Sequence, residues 1–265
     1  MRYYSNDWVY TATSQGAKEV SASTKLIGSV GLAKGVTFLL PLLIAALVSL
    51  FSGGGIDPQM ATVLIVTESG TGTGSIVTSD GYILTNRQVV ANTSRMSVIV
   101  GSGTQRQQTY TATLVQKNEI PPPANTTNEL LQQLPNEVAI LKIQARGLAH
   151  FRLPESTLRL STNIKVSAIG YNTKLLAGAS GKGPSQDMPS GTISGFLPSA
   201  EDQRLITHTC NLPQGFNGSP LIDDSGTLLG INITNLPTDI GNNRQIAIPI
   251  SAFKSALSIF MGSTH

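Results

Sequence analysis

The stretch GTGSIVTSDGYILTNRQVV, Gly72–Val90, decides how the rest of this chain is read. GSIVTS is a short run with β-branched residues, Ser79-Asp80-Gly81-Tyr82 has turn chemistry, and YILTN is a second strand-forming run. The residues therefore predict a strand, a tight turn and a second strand. Working outward, the same texture continues. MATVLIVTES lies before it; SVIVG, TATLVQ, EVAILKI, KVSAIGY, GTISGF, RLITHTC, SPLID, GTLLGINIT and QIAIPI lie after it. Short runs separated by turn signals about every 8–12 residues, with no helical pattern between them, predict an all-β sandwich or barrel. At the end, SAFKSALSIFMG changes period: Ser251 can cap a helix, and Phe253, Leu257 and Phe260 fall on one face. A C-terminal helix is expected over 251–262.

One segment breaks the β pattern. EIPPPANTTNELLQQLP, Glu119–Pro135, contains Pro121, Pro122 and Pro123, which lack the backbone donors of a central strand. It reads as a surface loop with a short helical turn around Leu130–Leu134. A tri-proline run is already extended and loses little entropy on docking, so these prolines are candidates for partner binding.

Composition excludes several function classes. Of 265 residues, 40% are hydrophobic and only 12% charged, about half the usual charged share. The net charge of +3 comes from scattered basic residues, with no Lys/Arg cluster interleaved with aromatics, so no nucleic-acid partner is expected. A single cysteine, Cys210, supplies neither an internal disulfide nor a zinc ligand set. The histidines (His150, His208 and His265) are far apart, so no metal is expected. GTGTGS at Gly70–Ser75 is not followed by a helix pattern, and Gly181-Lys182-Gly183 lacks the spacing of a phosphate loop, so no cofactor is expected.

The N-terminal part is of another kind. Val36–Phe51, VTFLLPLLIAALVSLF, carries no charge and as a helix would span roughly 24 Å, enough with its flanks for one crossing of a bilayer. A transmembrane helix is expected over 36–55. A cleaved signal peptide is the competing reading, opposed by the long polar lead of residues 1–35 and the lack of an A-x-A site. Arg2, Lys18, Lys25 and Lys34 precede the span, and the next basic residue is Arg87. Residues 1–35 are therefore expected in the cytoplasm and the rest outside it, in a periplasmic, extracellular or thylakoid-lumen space. Trp8 and Tyr10, crowded with Tyr3 and Tyr4, are candidates for contact with a partner or with lipid.

Several of these segments carry a family resemblance. GTGSIVTSDGYILTNRQVV resembles the strand–turn–strand of HtrA/Deg-type trypsin-like serine proteases, which leads to the catalytic histidine. NEVAILKI, Asn136–Ile143, resembles the strand entered from the aspartate. SGTISGF, Ser190–Phe196, resembles a later strand and turn, and QGFNGSPLIDDSGTLLGIN, Gln214–Asn232, the segment around the nucleophile. QIAIPIS resembles the family's closing strand. The resemblance implies a double β-barrel domain over 56–265, with barrel 1 at about 58–150 and barrel 2 at about 160–250. The cleft would lie between the barrels.

At the positions that carry the family's chemistry this chain differs. The histidine falls on Gln88, the aspartate on Glu137 and the serine on Asn217. A carboxamide has no basic nitrogen near neutral pH and is no alkoxide-like nucleophile, so the resemblance implies a pseudoprotease. The backbone amides of Gly215 and Asn217 would remain as a vestigial oxyanion hole. Gln88, Glu137 and Asn217 are expected to hydrogen-bond one another or to hold a ligand or peptide terminus. Rescue by Ser219 or His208 would require a rebuilt site. These readings lead to a membrane-anchored, non-catalytic subunit of a membrane protein complex. The alternatives are a peptide-binding sensor, with an open groove beside Ser190–Gly195, and an active protease with a non-standard site.

Overall fold

A computed structural model describes residues 56–117, 129, 131, 133–154, 160–173, 184–199, 204–234, 236, 245–253 and 257. The expected transmembrane helix, Trp8, Tyr10, and Pro121, Pro122 and Pro123 lie outside the described residues.

A short helix α1, Pro58–Ala61, is capped by Asp57, whose Oδ1 accepts from Met60 N at 3.2 Å. It leads into strands β1 Thr62–Thr67, β2 Gly70–Ile76, β3 Tyr82–Asn86, β4 Met96–Val100, β5 Gln108–Lys117 and β6 Val138–Ile143. Antiparallel pairing in the order β1-β2-β3-β6-β5-β4 closes them into a barrel. A second closed barrel follows the order β10-β11-β14-β13-β12-β7. Its strands are β7 Lys165–Ala168, β10 Ser190–Pro198, β11 Arg204–His208, β12 Pro220–Asp223, β13 Leu228–Ile233 and β14 Gln245–Pro249. Between β7 and β10, β8 Gly170–Asn172 and β9 Ser185–Asp187 form a separate two-stranded sheet, tied to the first barrel where Tyr171 N donates to Thr73 Oγ1 at 3.2 Å.

Alternation along the strands explains why they are apolar on both faces. On β6, Ala139, Leu141 and Ile143 fill the first barrel, while Val138 and Ile140 face a separate cluster. On β14, Ala247 points into the second barrel, and Ile246 and Ile248 join Val138 and Ile140 in that shared cluster, with Phe151 and Leu228. A period of two distributes each strand between its own barrel and the seam between barrels. The seam fixes the mutual position of the loops described below.

Two expectations need correction. The described part of the C-terminal segment is a 3-10 turn, Ile250–Phe253, so Ser251 lies inside a turn and caps no α-helix; beyond it only Leu257, helical and buried, is described. At Ser190–Ile193, part of the stretch beside which an open groove is expected, both strand edges are paired. Residues 190–192 pair with β7, and Asn163 N reaches Ile193 O at 2.8 Å. On the opposite edge, Thr209 N donates to Thr192 O at 3.0 Å and β11 pairs from Ile193 onward. Ring closure consumes this strand edge.

Candidate functional site

Three segments converge on a cleft of about 650 Å³ between the barrels, lined among others by Thr71, Gln88, Thr173, Gly215, Asn217 and Thr234. The first segment is the 3-10 turn Arg87–Val90 that follows β3. Asn86 caps it, accepting on Oδ1 from Gln88 N at 2.8 Å, and Val89 and Val90 plug the first barrel. That anchoring leaves the Gln88 side chain exposed at the cleft. The second is the loop Gln214–Asn217 ahead of β12. The third is the start of β2.

The expected mutual hydrogen bonding of Gln88, Glu137 and Asn217 is not made. Glu137 is buried, and its Oε1 accepts from Nη2 of Arg87; its backbone O also accepts from Arg87 N at 3.2 Å. A carboxylate withdrawn from water needs a cation, and the residue before Gln88 supplies one. Arg87 thus holds Glu137 away from Gln88, while Oε2 of Glu137 is buried without a partner. Asn217 accepts on Oδ1 from Thr234 N at 3.2 Å and makes only a long contact, 3.5 Å, from Nδ2 to Asn86 Oδ1.

The loop from Gln214 to Asn217 is fixed through its carbonyls. Gln214 O accepts from Thr173 N at 3.1 Å and Phe216 O from Ser219 N at 3.0 Å. Thr73, on β2 of the other barrel, donates from Oγ1 to Gly215 O at 2.8 Å and from N to Asn217 O at 3.0 Å. Phe216 anchors the loop from below, fully buried against Gly170, where a Cβ would meet its ring at 2.8 Å. Gly215 and Gly218 both have positive φ, 100° and 84°, and a Cβ on either would come within 2.3 Å of a carbonyl oxygen. Among the described residues no acceptor receives the N–H of Gly215 or Asn217.

Behind this loop lies a sealed polar network. Ser219, His208 and Asn232 are all fully buried. His208 Nδ1 accepts from Cys210 N at 3.3 Å, so Nε2 carries the proton and donates to Asn232 Oδ1 at 2.8 Å. Asn232 Nδ2 in turn donates to Ser219 Oγ at 3.0 Å. Burial pushes His208 down to about 4, outweighing the opposite pull of the Asn232 hydrogen bond, so the ring is neutral at ordinary pH. The same burial pushes the Cys210 thiol up to about 11. His208 faces the interior and Ser219 has no access to the cleft, so the two do not form a displaced reactive pair there.

This arrangement of two barrels and a cleft between them matches a known family. The family model of the trypsin-like peptidase domain covers residues 72–231. The chain belongs to the trypsin-like peptidase family. Among curated relatives, this family member is 26% identical over 199 residues to the "Serine endoprotease DegS" of Haemophilus influenzae, covering 72% of this chain and 50% of that protein. It is 28% identical over 198 residues to the "Serine protease HTRA1" of Xenopus laevis, covering 73% of this chain and 36% of the relative. The chain therefore spans half or less of the length of these relatives. The solved structure of a serine endoprotease from Yersinia pestis shares the trypsin-like fold, with a TM-score of 0.57 and 23% identity over 78% of this chain and 64% of that one.

Sequence reasoning missed Arg87, Asn86, Thr73 and Thr234 as parts of the site. Arg87 had a local signal, as the one cation beside the turn that a buried Glu137 could use. Thr73 had none, because its partner Gly215 is 142 residues away. The described end of the Glu119–Pro135 insertion packs Leu131 and Leu134 into the seam, with Ser199 Oγ donating to Leu131 O at 2.7 Å.

Proposed function

We propose that this chain is a membrane-anchored trypsin-like domain without proteolytic activity, serving as an accessory or scaffold subunit of a membrane protein complex. The observation that carries this reading is the chemistry of the side chains offered to the cleft from either barrel: Gln88 and Asn217, both carboxamides. Serine-protease chemistry requires a group that takes a proton from the attacking oxygen, and an attacking oxygen. A carboxamide supplies neither. Loss of such a pair costs on the order of 10⁶ in kcat, and backbone donors alone leave only a residual effect. Ser219, two residues past Asn217, and His208 are both fully buried and neither lines the cleft. The relatives are named proteases, whereas the cleft of this chain presents carboxamides at Gln88 and Asn217.

The anchor is supported by the uncharged run Val36–Phe51, and the orientation by the basic residues ahead of it. The domain after Gly55 would then lie outside the cytoplasm. Trp8, Tyr10 and the prolines at 121–123 remain the proposed contacts with complex subunits or lipid.

The test is direct. The purified full chain in detergent is incubated with casein and, separately, with a serine-directed fluorophosphonate; neither cleavage nor labelling is expected. Casein cleavage that Ser219→Ala abolishes would overturn the reading. Mild detergent extraction and co-purification should also yield a stoichiometric membrane partner. A second reading, a peptide-binding sensor, is favoured by one observation: the amides of Gly215 and Asn217 at the cleft have no acceptor among the described residues.

A further inference from the structure

We infer that a pocket at the opposite end of the first barrel from the cleft receives a phosphate ester, supplied by the headgroup of an anionic phospholipid. The inference rests on the reading that residues 36–55 anchor the chain, and it adds a lipid contact made by the folded domain itself. The pocket is distinct from the cleft: Met60, just before β1, lines the one, and Thr67, at the far end of β1, lines the other.

The pocket measures about 430 Å³. Its lining comes from α1, the turn between β4 and β5, and the segment after β6, all inside the described stretches 56–117 and 133–154. Met60, Tyr110 and Leu148 pack on the first-barrel core and make a largely apolar floor. The turn is fixed by its own bonds. Thr104 N donates to Gly101 O at 3.0 Å, Gln107 N to Thr104 O at 3.2 Å and Arg106 N to Thr104 Oγ1 at 3.1 Å. On the other side Leu148 N donates to Ser79 O at 3.0 Å. The side chains around the floor therefore project from held backbone.

Those side chains are mainly donors. Arg146 is exposed, and its guanidinium has no hydrogen bond or ion pair among the described residues. The Arg106 guanidinium meets only Asp57 among them, Nη2 to Oδ2 at 3.6 Å; both groups are exposed, so that pair is weak. Two glutamines have their side-chain oxygens already taken: Gln107 Oε1 accepts from Gly103 N at 2.9 Å, and Gln108 Oε1 accepts from the Tyr110 hydroxyl. Their Nε2 groups are left to donate. No acidic side chain is among the described lining residues. Two guanidinium groups and two amide donors suit an oxyanion with several acceptor oxygens, as a phosphate has.

Chain length selects the source of that phosphate. The span expected over 36–55 ends two residues before Asp57, and two residues reach at most about 7 Å. Arg106 sits against Asp57, so in the anchored reading this rim of the pocket is tethered close to the phosphate layer of the bilayer. A headgroup there is held at high effective concentration beside the two arginines, whereas a soluble phosphate ester is dilute. Asp57 is the built-in competitor: its Oδ1 caps α1, and its Oδ2 occupies Arg106 until a phosphate displaces it.

The experiment is native mass spectrometry of the full chain in detergent, doped in turn with phosphatidylglycerol, phosphatidylcholine and glycerol phosphate. The chain should retain phosphatidylglycerol over phosphatidylcholine, and the double variant Arg106→Gln/Arg146→Gln should lower that retention about tenfold. Arg95→Gln/Lys165→Gln removes the same charge from exposed positions outside the pocket and should leave it unchanged. Asp57→Asn keeps a capping side chain but frees Arg106, and should raise retention severalfold. Glycerol phosphate retained as strongly as the lipid overturns the membrane source. Retention that is equal for the two lipids, unchanged in the Arg106/Arg146 variant, or lowered as much in the Arg95/Lys165 variant overturns the inference. Alkaline extraction of membranes tests the anchor separately. A chain that stays in the pellet without arginine-dependent retention overturns only the phosphate site, whereas a chain released to the supernatant overturns the anchored reading beneath it.

Discussion

The two sides of the Gln214–Ser219 loop differ in what they are given to hold. On the cleft side stand carboxamides, hydroxyls and backbone amides that have no acceptor among the described residues. On the core side stand Ser219, two residues past Asn217, and His208 from β11, joined through Asn232 and fully buried. This serine and this histidine are withdrawn from the cleft, and in the core they act as structural polar groups. In the proposed non-catalytic reading, the cleft keeps its backbone geometry while its side chains do not supply the chemistry. Fold and reactivity are separable properties of the same loop.

This contrast can be tested by breaking each side in turn. The largest effect is expected from Asn232→Ala, which strands His208 Nε2–H and the Ser219 hydroxyl in the core. About 4 kcal/mol of stability should be lost, measured by urea denaturation. A smaller loss means that the network is not the main support of the loop.

The next effect is a pH dependence. His208 titrates near 4 when folded and near its ordinary 6.5 when unfolded, so between these values the unfolded chain binds more protons. Stability should be complete above pH 6.5 and fall as pH drops toward 4, by up to roughly 3 kcal/mol. Urea midpoints at several pH values report it, and in His208→Asn this component of the slope should vanish.

Arg87→Met should then cost about 2–3 kcal/mol, because it leaves the Glu137 carboxylate buried without its cation. Adding Glu137→Leu should recover most of that loss, and failure to recover it would locate the effect in packing. Ser219→Ala should cost only about 1 kcal/mol, one hydrogen bond. Smallest of all, Gln88→Ala on the exposed side should shift stability by less than about 0.5 kcal/mol.

Much of the fold was legible in one dimension. Alternating apolar runs such as EVAILKI and QIAIPI, with turn residues such as Asp80-Gly81 between strands, call for antiparallel strands whatever their partners, because the period of two and the turn chemistry are local. The all-β class, the two-barrel expectation and the carboxamides at Gln88 and Asn217 could therefore be read from the residues and their resemblance. The C-terminal segment was misread where its helical periodicity begins, at Ser251. Ile250 and Phe253 are claimed by the core and tighten that start into a 3-10 turn.

Only the tertiary structure decided which polar groups meet. Glu137 was assigned to Gln88 by analogy, yet a buried carboxylate takes the strongest counter-charge within reach, and packing brings Arg87 there. The pinning of the Gln214–Asn217 carbonyls by Thr73, and the burial of His208 against Asn232, depend on contacts between distant segments that carry no local pattern. Strand formation is governed by neighbours along the chain, whereas the aim of a backbone amide is set by whatever the closed barrels press against it.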